Sequence, residues 1–263
     1  MKIVVTVKQV PDTNAEKTFD PSTKRLNRSA IENVLNPFDE YAIEEALRIR
    51  DAAGDGSTVT ILTMAPQSGL DVVRKALGMG ADNAVMISDP AIGGSDTMAT
   101  AYVLALALKH IGYDLILSGT QSTDAINSIV PAAVAEHLAI PCLTYAKKVT
   151  LSDGTIQVQR ETEGGYLQVT SPLPAFVSVT KSINEPRYPT LKGIMGAKKK
   201  EVKALTLADI GADPARLGDV GSKTAVDSFA AMGARAKGTV IQASDPKEGA
   251  QKIMDFLIAK KLV

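Results

Sequence analysis

The feature that most constrains this fold is a regular alternation of short apolar runs and helical segments from Ile3 to Leu138. The first run, from Ile3 to Val7, is continuous and β-branched, which is typical of a strand that is covered on both faces. Strands that alternate with helices of this length are joined by right-handed crossovers. The sequence therefore predicts an α/β fold with a doubly wound, mostly parallel sheet.

The same patterns predict the individual elements of the core. Asn36 and Pro37 mark the start of the first helix, because asparagine can cap free N–H groups and proline is tolerated at the first helical position. Glu44 and Glu45 lie within that helix, and we interpret them as an exposed face rather than as a catalytic pair. Strands are expected at 3–7, 57–64, 83–87 and 114–118, and helices at 37–51, 69–79, 96–111 and 126–138.

After Pro141 the pattern changes to short strand-like runs. They cover 146–151, 155–159, 165–171 and 175–180, and the Asp153-Gly154 pair between two of them is a strong hairpin signal. No flexible linker separates these runs from the core. We therefore predict a β-rich extension at about 146–183 that packs beside the α/β core, so that residues 1–200 form one unit.

Residues 184–200 form a polar segment in which Pro186 and Pro189 exclude a central strand or a helix interior. The segment nevertheless carries four large apolar side chains between Tyr188 and Met195, and it ends in a small-residue turn and a lysine run. It is either a loop that presents a docking surface or a surface connection whose apolar side chains tuck back onto the core.

The C-terminal residues 201–263 show weak periodicity, apart from a strand-like run at 201–206 and a helical pattern at 246–260. Long segments without secondary structure are uncommon inside compact domains. We therefore interpret residues 201–263 as a C-terminal arm that ends in a helix and lies on another subunit. A loosely ordered tail is the alternative.

Charge and composition argue against several classes of function. The 29 basic side chains balance the 29 acidic ones, which argues against a nucleic-acid-binding surface over the whole chain. The single cysteine and the two histidines lack metal-ligand spacing, and no nucleophile–base arrangement is present, so we expect neither a metal site nor catalytic residues. The sequence starts without a signal peptide and has no run of about 20 apolar residues, so we expect a cytoplasmic chain without membrane insertion.

The loop with the clearest ligand-binding pattern runs from Ser118 to Val130. In a sheet of this type the ligand lies beyond the carboxyl ends of the strands, where the strand order reverses. Here a strand is followed by Gly119, several hydroxyl side chains and a helix start, whose free N–H groups can hold an anion. The loop has neither the lysine-serine pair of a P-loop nor a dinucleotide glycine motif. It predicts a generic nucleotide or anion site, or else an ordinary turn in which Asp124 or Ser128 caps the helix.

Several motifs resemble the β subunit of electron transfer flavoprotein, and the likeness extends over nearly the whole chain. They are VVTVK at 4–8, NPF at 36–38 with EEA at 44–46, ALGMGAD at 76–82, RETEGG at 160–165 followed by LP at 173–174, and NEPR at 184–187 through IM at 194–195 to AKKK at 197–200. The resemblance implies a Rossmann-like, adenine-nucleotide-binding fold. It also implies an electron carrier subunit that is not an enzyme by itself and that pairs with an α subunit.

The same resemblance implies two nucleotide cofactors. The α subunit of such a heterodimer mainly holds a redox-active FAD, and the β subunit holds a buried AMP. The residues that would line the AMP pocket are carried over by position from the family. They are Thr6, Asn36, Phe38, Asp39, Met64, Gly119, Gln121, Thr123, Asp124, Asn127, Ser128, Ile129 and Val130.

The resemblance also implies the protein partners. Segment 184–200 corresponds to a recognition loop that anchors flavin dehydrogenases, such as acyl-CoA dehydrogenases, through a protruding leucine. That leucine is Leu191, and we expect Tyr188, Ile194 and Met195 to contribute beside it. The arm at 201–263 corresponds to the part that packs on the α subunit. Electrons would then pass to a membrane quinone oxidoreductase or another acceptor.

Two alternatives stay open beside this interpretation. In bifurcating relatives a second FAD replaces AMP, and the nucleotide loop typically reads Gly-Asp-Thr-Ala-Gln-Val-Gly-Pro. The run here is AINSIVP at 125–131, which favours AMP. The other alternative is a stand-alone nucleotide-binding sensor domain of the same fold.

Overall fold

A computed structural model describes residues 1–29, 31–230, 233, 238, 240 and 242–263 of the chain. These residues divide into two units, Met1–Asp227 and Ser228–Val263. The first unit contains the sheet and the helices packed on it, and the second contains one helix near the C-terminus. Within the described ranges, no helix has the length and apolar character needed to cross a membrane.

The elements follow the chain in the predicted alternation. The strands are β1 (Lys2–Val7), β2 (Gln9–Pro11), β3 (Asn33–Leu35), β4 (Thr58–Met64), β5 (Asn83–Ile87), β6 (Leu115–Gly119), β7 (Cys142–Ser152), β8 (Thr155–Thr162), β9 (Gly165–Pro172), β10 (Ala175–Val179) and β11 (Val202–Leu205). The helices are α1 (Pro37–Ala53), α2 (Leu70–Met79), α3 (Thr97–Ile111), α4 (Val130–Leu138), α5 (Leu191–Lys199), α6 (Gly218–Gly221) and α7 (Pro246–Ala259).

One large sheet has the strand order β11-β5-β4-β1-β6-β10-β7-β8-β9. Neighbouring strands are parallel from β11 to β7, whereas β7, β8 and β9 form an antiparallel meander. From β1 the chain adds β4 and β5 on one side and returns to add β6 on the other, so the order reverses between β1 and β6. This topology confirms the α/β prediction.

Helices cover both faces of the sheet. Val5 of β1 belongs to the apolar layer that includes α1 and α2, whereas Val4 belongs to the opposite layer with α3 and α4. Both residues are almost wholly buried, which accounts for the continuous β-branched run: each face of β1 needs an apolar side chain. The β-rich extension continues this sheet, because β10 pairs in parallel with β6 of the core and with β7 on its other side.

Three local predictions were wrong. Helix α4 begins at Val130 rather than at residue 126, because Ile126 and Ser128 adopt φ values of 51° and 52°, which a right-handed helix does not allow. Residues 191–199 form a helix rather than a small-residue turn, and Thr190 Oγ1 caps it by accepting a hydrogen bond from Gly193 N over 3.0 Å. Glu44 and Glu45, expected on an exposed face, are both buried.

Candidate functional site

A cavity of about 440 Å³ opens at the carboxyl ends of β1 and β6, the point where the strand order reverses. This volume lies within the range of about 300–1,000 Å³ that is usual for small-ligand sites. Many of the predicted AMP-site residues lie on its walls: Thr6, Asn36, Asp39, Met64, Gly119, Gln121, Asn127, Ser128 and Val130. Four others do not form its walls: Phe38, Thr123, Asp124 and Ile129.

Asp39 joins the first turn of α1 to the ends of both central strands. Its Oδ2 accepts a hydrogen bond from Lys8 N over 2.8 Å, and its Oδ1 accepts one from Gly119 N over 3.3 Å. Burial raises the pKa of Asp39 to about 7, although these two N–H donors and the Lys8 charge act in the opposite direction. Asp39 therefore holds the cavity floor together and titrates near neutral pH.

Gly119 fits this arrangement because it has no side chain. A Cβ at this position would lie 2.7 Å from Asp39 Oδ1 and 2.7 Å from the carbonyl carbon of Phe38. Such distances are too short for real contacts, so any larger residue would push the start of α1 away from β6. The contact also gives Phe38 its role, which is to pack its backbone against Gly119 rather than to line the cavity.

Asn36 fixes the loop that follows β6. Its Nδ2 donates to the Gln121 carbonyl over 2.9 Å, and its Oδ1 accepts from Thr123 N over 3.2 Å. The expectation that the Asn36 side chain caps α1 is therefore wrong, since both side-chain atoms reach a loop about 85 residues further along the chain. Thr123 lies behind the cavity wall and serves as a partner of Asn36.

The loop between β6 and α4 is held in an unusual backbone conformation. Ile126 is β-branched and has a positive φ, which is a costly arrangement that persists only where the surroundings impose it. Ser128 Oγ hydrogen-bonds Gln121 Oε1 over 3.1 Å, and Asn127 Nδ2 donates to Thr97 Oγ1 of α3 over 2.9 Å. This conformation brings Val130, the first residue of α4, to the cavity wall.

The start of α4 is suited to an anion. Neither Asp124 nor Ser128 caps this helix, and Ile129, at the N-cap position, makes no side-chain capping bond. The Ile129 N–H is taken by Asn127 Oδ1 over 3.2 Å, Pro131 has no N–H, and Ala133 N bonds the Ile129 carbonyl. The N–H groups of Val130 and Ala132 remain, and at a helix start next to a cavity such groups can bind a negatively charged group. The expectation of an ordinary capped turn is therefore wrong.

Ser118 is the strongest sign that the cavity binds a polar ligand. It is buried at the end of β6 and lies on the cavity wall. Its Oγ finds no hydrogen-bond partner among the described residues. A buried hydroxyl without a partner costs about 1–3 kcal/mol, and a ligand atom in the cavity would supply the missing hydrogen bond.

Charged groups lie at one side of the cavity. Asp124 lies behind the wall, where it accepts hydrogen bonds from Lys8 Nζ over 2.7 Å and from the Arg28 guanidinium. Burial opposes ionisation of Asp124, but the Lys8 charge and the hydrogen bonds from Lys8 and Arg28 lower its pKa to about 2. Asp124 is therefore ionised near neutral pH. It holds Lys8 and Arg28, and both of these side chains line the cavity.

Lys8, Arg28, Asp96 and Thr224 also line the cavity, although no sequence motif pointed to them, and Ser118 lines it as the first residue of the predicted ligand loop. Lys8 directly follows the first predicted strand and Ser118 ends the fourth, and ligands bind beyond the carboxyl ends of such strands. Their positions therefore indicated that they could line the site. For the other three no local pattern exists. Thr224 reaches the cavity because Asp96 Oδ2 accepts its backbone N–H over 3.0 Å, a contact between distant parts of the chain.

A second candidate surface lies on segment 184–200, which is fixed to α1 by buried carboxylates. Arg187 donates from Nε to Glu44 Oε2 over 2.7 Å and from NH2 to Glu44 Oε1 over 3.2 Å. Asn184 Nδ2 donates to Glu45 Oε2 over 3.0 Å. The two glutamates that were expected on an exposed face thus form the base on which this segment rests.

Beyond this base, the segment displays apolar side chains to solvent. Tyr188 is 91% exposed, Leu191 77% and Met195 62%, and Ile194 is also exposed. Helix α5 packs so closely on α2 that a Cβ on Gly193 would lie 2.5 Å from the Gly78 carbonyl oxygen. The alternative in which these apolar side chains tuck back onto the core is therefore wrong.

The chain is similar to members of one family over its whole length. The family profile described as "Electron transfer flavoprotein domain" matches residues 23–210. "Electron transfer flavoprotein subunit beta" from Mycobacterium bovis is 42% identical over 265 residues, with 99% of both chains covered. The protein of the same name from Megasphaera elsdenii is 39% identical over 272 residues, with 100% of both covered. "Caffeyl-CoA reductase-Etf complex subunit CarD" from Acetobacterium woodii is 35% identical over 264 residues, again with 100% of both covered.

Proposed function

The chain belongs to the electron transfer flavoprotein β-subunit family, and on that premise we propose that it holds AMP in the cavity between β1 and β6. Members of this family act in electron transfer as part of a flavin-containing heterodimer, so an α subunit is a partner of this chain. In the proposed complex the α subunit mainly holds FAD, which supplies the redox chemistry when bound. The β chain then contributes binding and positioning rather than a catalytic step.

The buried hydroxyl of Ser118, which has no partner in the described part of the chain, is the observation that carries AMP binding. It stands on the wall of a cavity of suitable volume. At the start of α4 on the same wall, Val130 offers a backbone N–H to a phosphate. Together these features fit a small ligand that has both hydrogen-bonding groups and an anionic end.

The docking function belongs to segment 184–200. An exposed leucine on a short helix, with exposed Tyr188, Ile194 and Met195 beside it, is the kind of apolar group that anchors a partner in a pocket. The ion pair between Arg187 and Glu44 holds the base of this segment in place before a partner binds. We propose that flavin dehydrogenases dock here, with Leu191 as the anchor, and that electrons continue to a quinone oxidoreductase or another acceptor.

A second FAD in place of AMP is the alternative, in a bifurcating complex. It is favoured by one similarity, since a relative at 35% identity is named as a subunit of a reductase–Etf complex. The nucleotide loop argues against it, because 125–131 reads AINSIVP. A free-standing sensor domain is a further alternative, and the exposed apolar side chains of α7, among them Ile253 and Phe256, argue against it.

One experiment separates these functions. The αβ complex is purified, its nucleotides are released by denaturation, and AMP and flavin are counted per αβ pair. One flavin with one AMP supports the proposal, whereas two flavins without AMP would favour bifurcation. A β chain that is stable as a monomer and binds AMP or ATP reversibly would favour the sensor.

A further inference from the structure

The stretch that follows Leu217 carries an inference that rests on the proposed nucleotide function and extends it to the kinetics of the site. We propose that residues 218–227 form a strap that closes the solvent-facing side of the cavity, and that Asp96 is the positioning residue that latches this strap. The nucleotide then enters and leaves the cavity when the strap opens.

The latch is one carboxylate that serves two elements. Asp96 Oδ1 accepts a hydrogen bond from Ala99 N over 2.9 Å and so caps α3. Asp96 Oδ2 accepts hydrogen bonds from the strap, from Lys223 N over 2.8 Å and from Thr224 N over 3.0 Å. Thr224 Oγ1 donates to the same oxygen over 3.2 Å. Asp96 and Thr224 both line the cavity, so the latch forms part of the cavity wall.

Further hydrogen bonds attach the strap to the loop that precedes α3. Ser222 Oγ accepts from Asp96 N over 2.8 Å and lies 3.1 Å from the Gly94 carbonyl oxygen. At the start of the strap, Gly218 N donates to Ser95 Oγ over 2.9 Å. The strap therefore follows this loop from its first residue to the latch.

The strap also contacts the stretch between β2 and β3. The Arg25 guanidinium pairs with Asp219, and Lys24 Nζ donates to the Asp227 carbonyl. Arg28, on the same stretch, lines the cavity. The side chains of Arg25, Arg28 and Asp219 are 42%, 45% and 77% exposed. The strap and this stretch thus form the solvent-facing side of a cavity whose floor is buried.

Apolar packing ends where the strap begins. Leu217 is 2% exposed and belongs to the apolar layer that includes α3 and α4. Within residues 218–227, all of which the structure describes, Val220 is 89% exposed and Val226 is 55% exposed. The strap is therefore held by polar contacts rather than by buried apolar side chains. Segments of this kind open locally at a lower free energy than global unfolding requires, so the strap can open while the sheet stays folded.

A strap of this kind controls the rates of nucleotide exchange rather than the affinity. The latch bonds join protein atoms to each other, so their loss opens the filled and the empty cavity by the same factor. Association and dissociation then accelerate together, and their ratio, the Kd, stays the same. The loss of a direct ligand contact acts differently, because it raises the dissociation rate and the Kd together.

The test uses the purified αβ complex loaded with labelled AMP. Release is followed after addition of excess unlabelled AMP, and equilibrium dialysis gives the Kd. Ser222→Ala alters a side chain that does not line the cavity. It should raise the release rate by about fivefold or more, the factor that the loss of one hydrogen bond implies, without a matching rise in Kd. Asp96→Asn should accelerate release at least as much, because a carboxamide has one oxygen and cannot both cap α3 and accept from the strap.

Asp213→Asn is the matched control. Asp213 also accepts a backbone N–H, from Ala215 over 2.9 Å, but it lies outside both the strap and the cavity wall. Its release rate should equal that of the wild type. Amide hydrogen exchange gives a second readout: in Asp96→Asn the strap should lose protection while β1 keeps it.

The outcomes separate the strap from the nucleotide site itself. An unchanged release rate in both Ser222→Ala and Asp96→Asn overturns the strap, and so does faster release with a proportional rise in Kd. An equal loss of protection in β1 and in the strap also overturns it, because opening is then not local. In each of these cases AMP binding by the wild type still stands. A wild-type complex that contains FAD instead of AMP overturns the proposed function.

Discussion

Arg187 donates from Nε to Glu44 Oε2 over 2.7 Å and from its backbone N–H to the same oxygen over 3.1 Å, so one buried carboxylate fixes both the side chain and the main chain of this arginine. Glu44 belongs to α1, a central core helix, whereas Arg187 lies in segment 184–200, which displays Leu191. The exposed apolar residues therefore stand on a base that is tied to the core.

Removal of Arg187 should destabilise the protein in a pH-dependent manner. Burial acts to raise the pKa of Glu44, but hydrogen bonds and charge from Arg187 and Arg48 hold that pKa below its usual value. Arg187→Met leaves the Glu44 carboxylate with Arg48 as its remaining cation, and Arg187 itself is partly exposed, so we expect a loss of about 1–3 kcal/mol of unfolding free energy at neutral pH. The loss should shrink as the pH falls and Glu44 becomes protonated, because its pKa is raised in the variant. Urea unfolding at several pH values measures both effects.

Arg48→Met is the control for this prediction. Arg48 also pairs with Glu44, but it donates one hydrogen bond across a helical turn, whereas Arg187 donates three, so the loss in Arg48→Met should be smaller. A similar loss in both variants would contradict the role given to Arg187.

Leu191→Ala should slow electron transfer from a partner dehydrogenase without any change in flavin or AMP content. A leucine that is 77% exposed contributes little to folding, whereas an apolar anchor contributes on the order of 1–3 kcal/mol to docking. Stopped-flow reduction of the αβ complex by the dehydrogenase measures the effect. Val220→Ala, which truncates another exposed aliphatic side chain in α6, should leave the rate unchanged. Unchanged kinetics in Leu191→Ala would exclude Leu191 as the anchor.

Gly119→Ala should damage the nucleotide site, because the added Cβ would meet Asp39 Oδ1 and the Phe38 backbone at 2.7 Å. We expect a loss of about 1–3 kcal/mol in unfolding free energy and a lower AMP content. Thermal unfolding and nucleotide release measure the two effects. Gly164→Ala is the matched control, since nothing lies within 4 Å of a Cβ added there. Normal AMP content in Gly119→Ala would show that the cavity does not depend on this close packing.

Asp39 should make the unfolding free energy fall as the pH rises toward neutrality. Burial raises its pKa to about 7 in the folded chain from an ordinary value of 3.8. Between these two pH values the folded state binds more protons than the unfolded state, so the unfolding free energy falls with increasing pH, by up to about 1.4 kcal/mol per pH unit. Above about pH 7 this contribution is lost and its slope disappears.

Asp39→Asn should reduce that slope, as measured by urea unfolding at a series of pH values. Asp124→Asn is the comparison, because Asp124, with a pKa of about 2, does not titrate in the same interval. It should change the level of the stability curve and not its slope. An unaltered slope in Asp39→Asn would mean that another group titrates there.

Local patterns in the sequence predicted most of the fold and part of the site. The run from Ile3 to Val7 indicated a strand buried on both faces, and the glycine and hydroxyl side chains after β6 indicated a ligand loop. The start of α4 was predicted too early, because periodicity does not reveal that Ile126 has a positive φ. That conformation depends on contacts with Thr97 and Gln121, not on helical propensity.

By itself, the sequence determined the α/β class and the family, because strand and helix periods and family motifs are short-range features of the chain. Only the tertiary structure decided which charges meet. Arg187 and Glu44 are 143 positions apart, and Arg28 and Asp124 are 96 apart. Crossovers of the chain around the sheet set these pairings, and burial then makes each carboxylate require a cation. For this reason Glu44 fixes segment 184–200 to the core, and Asp124 holds two cations at the cavity.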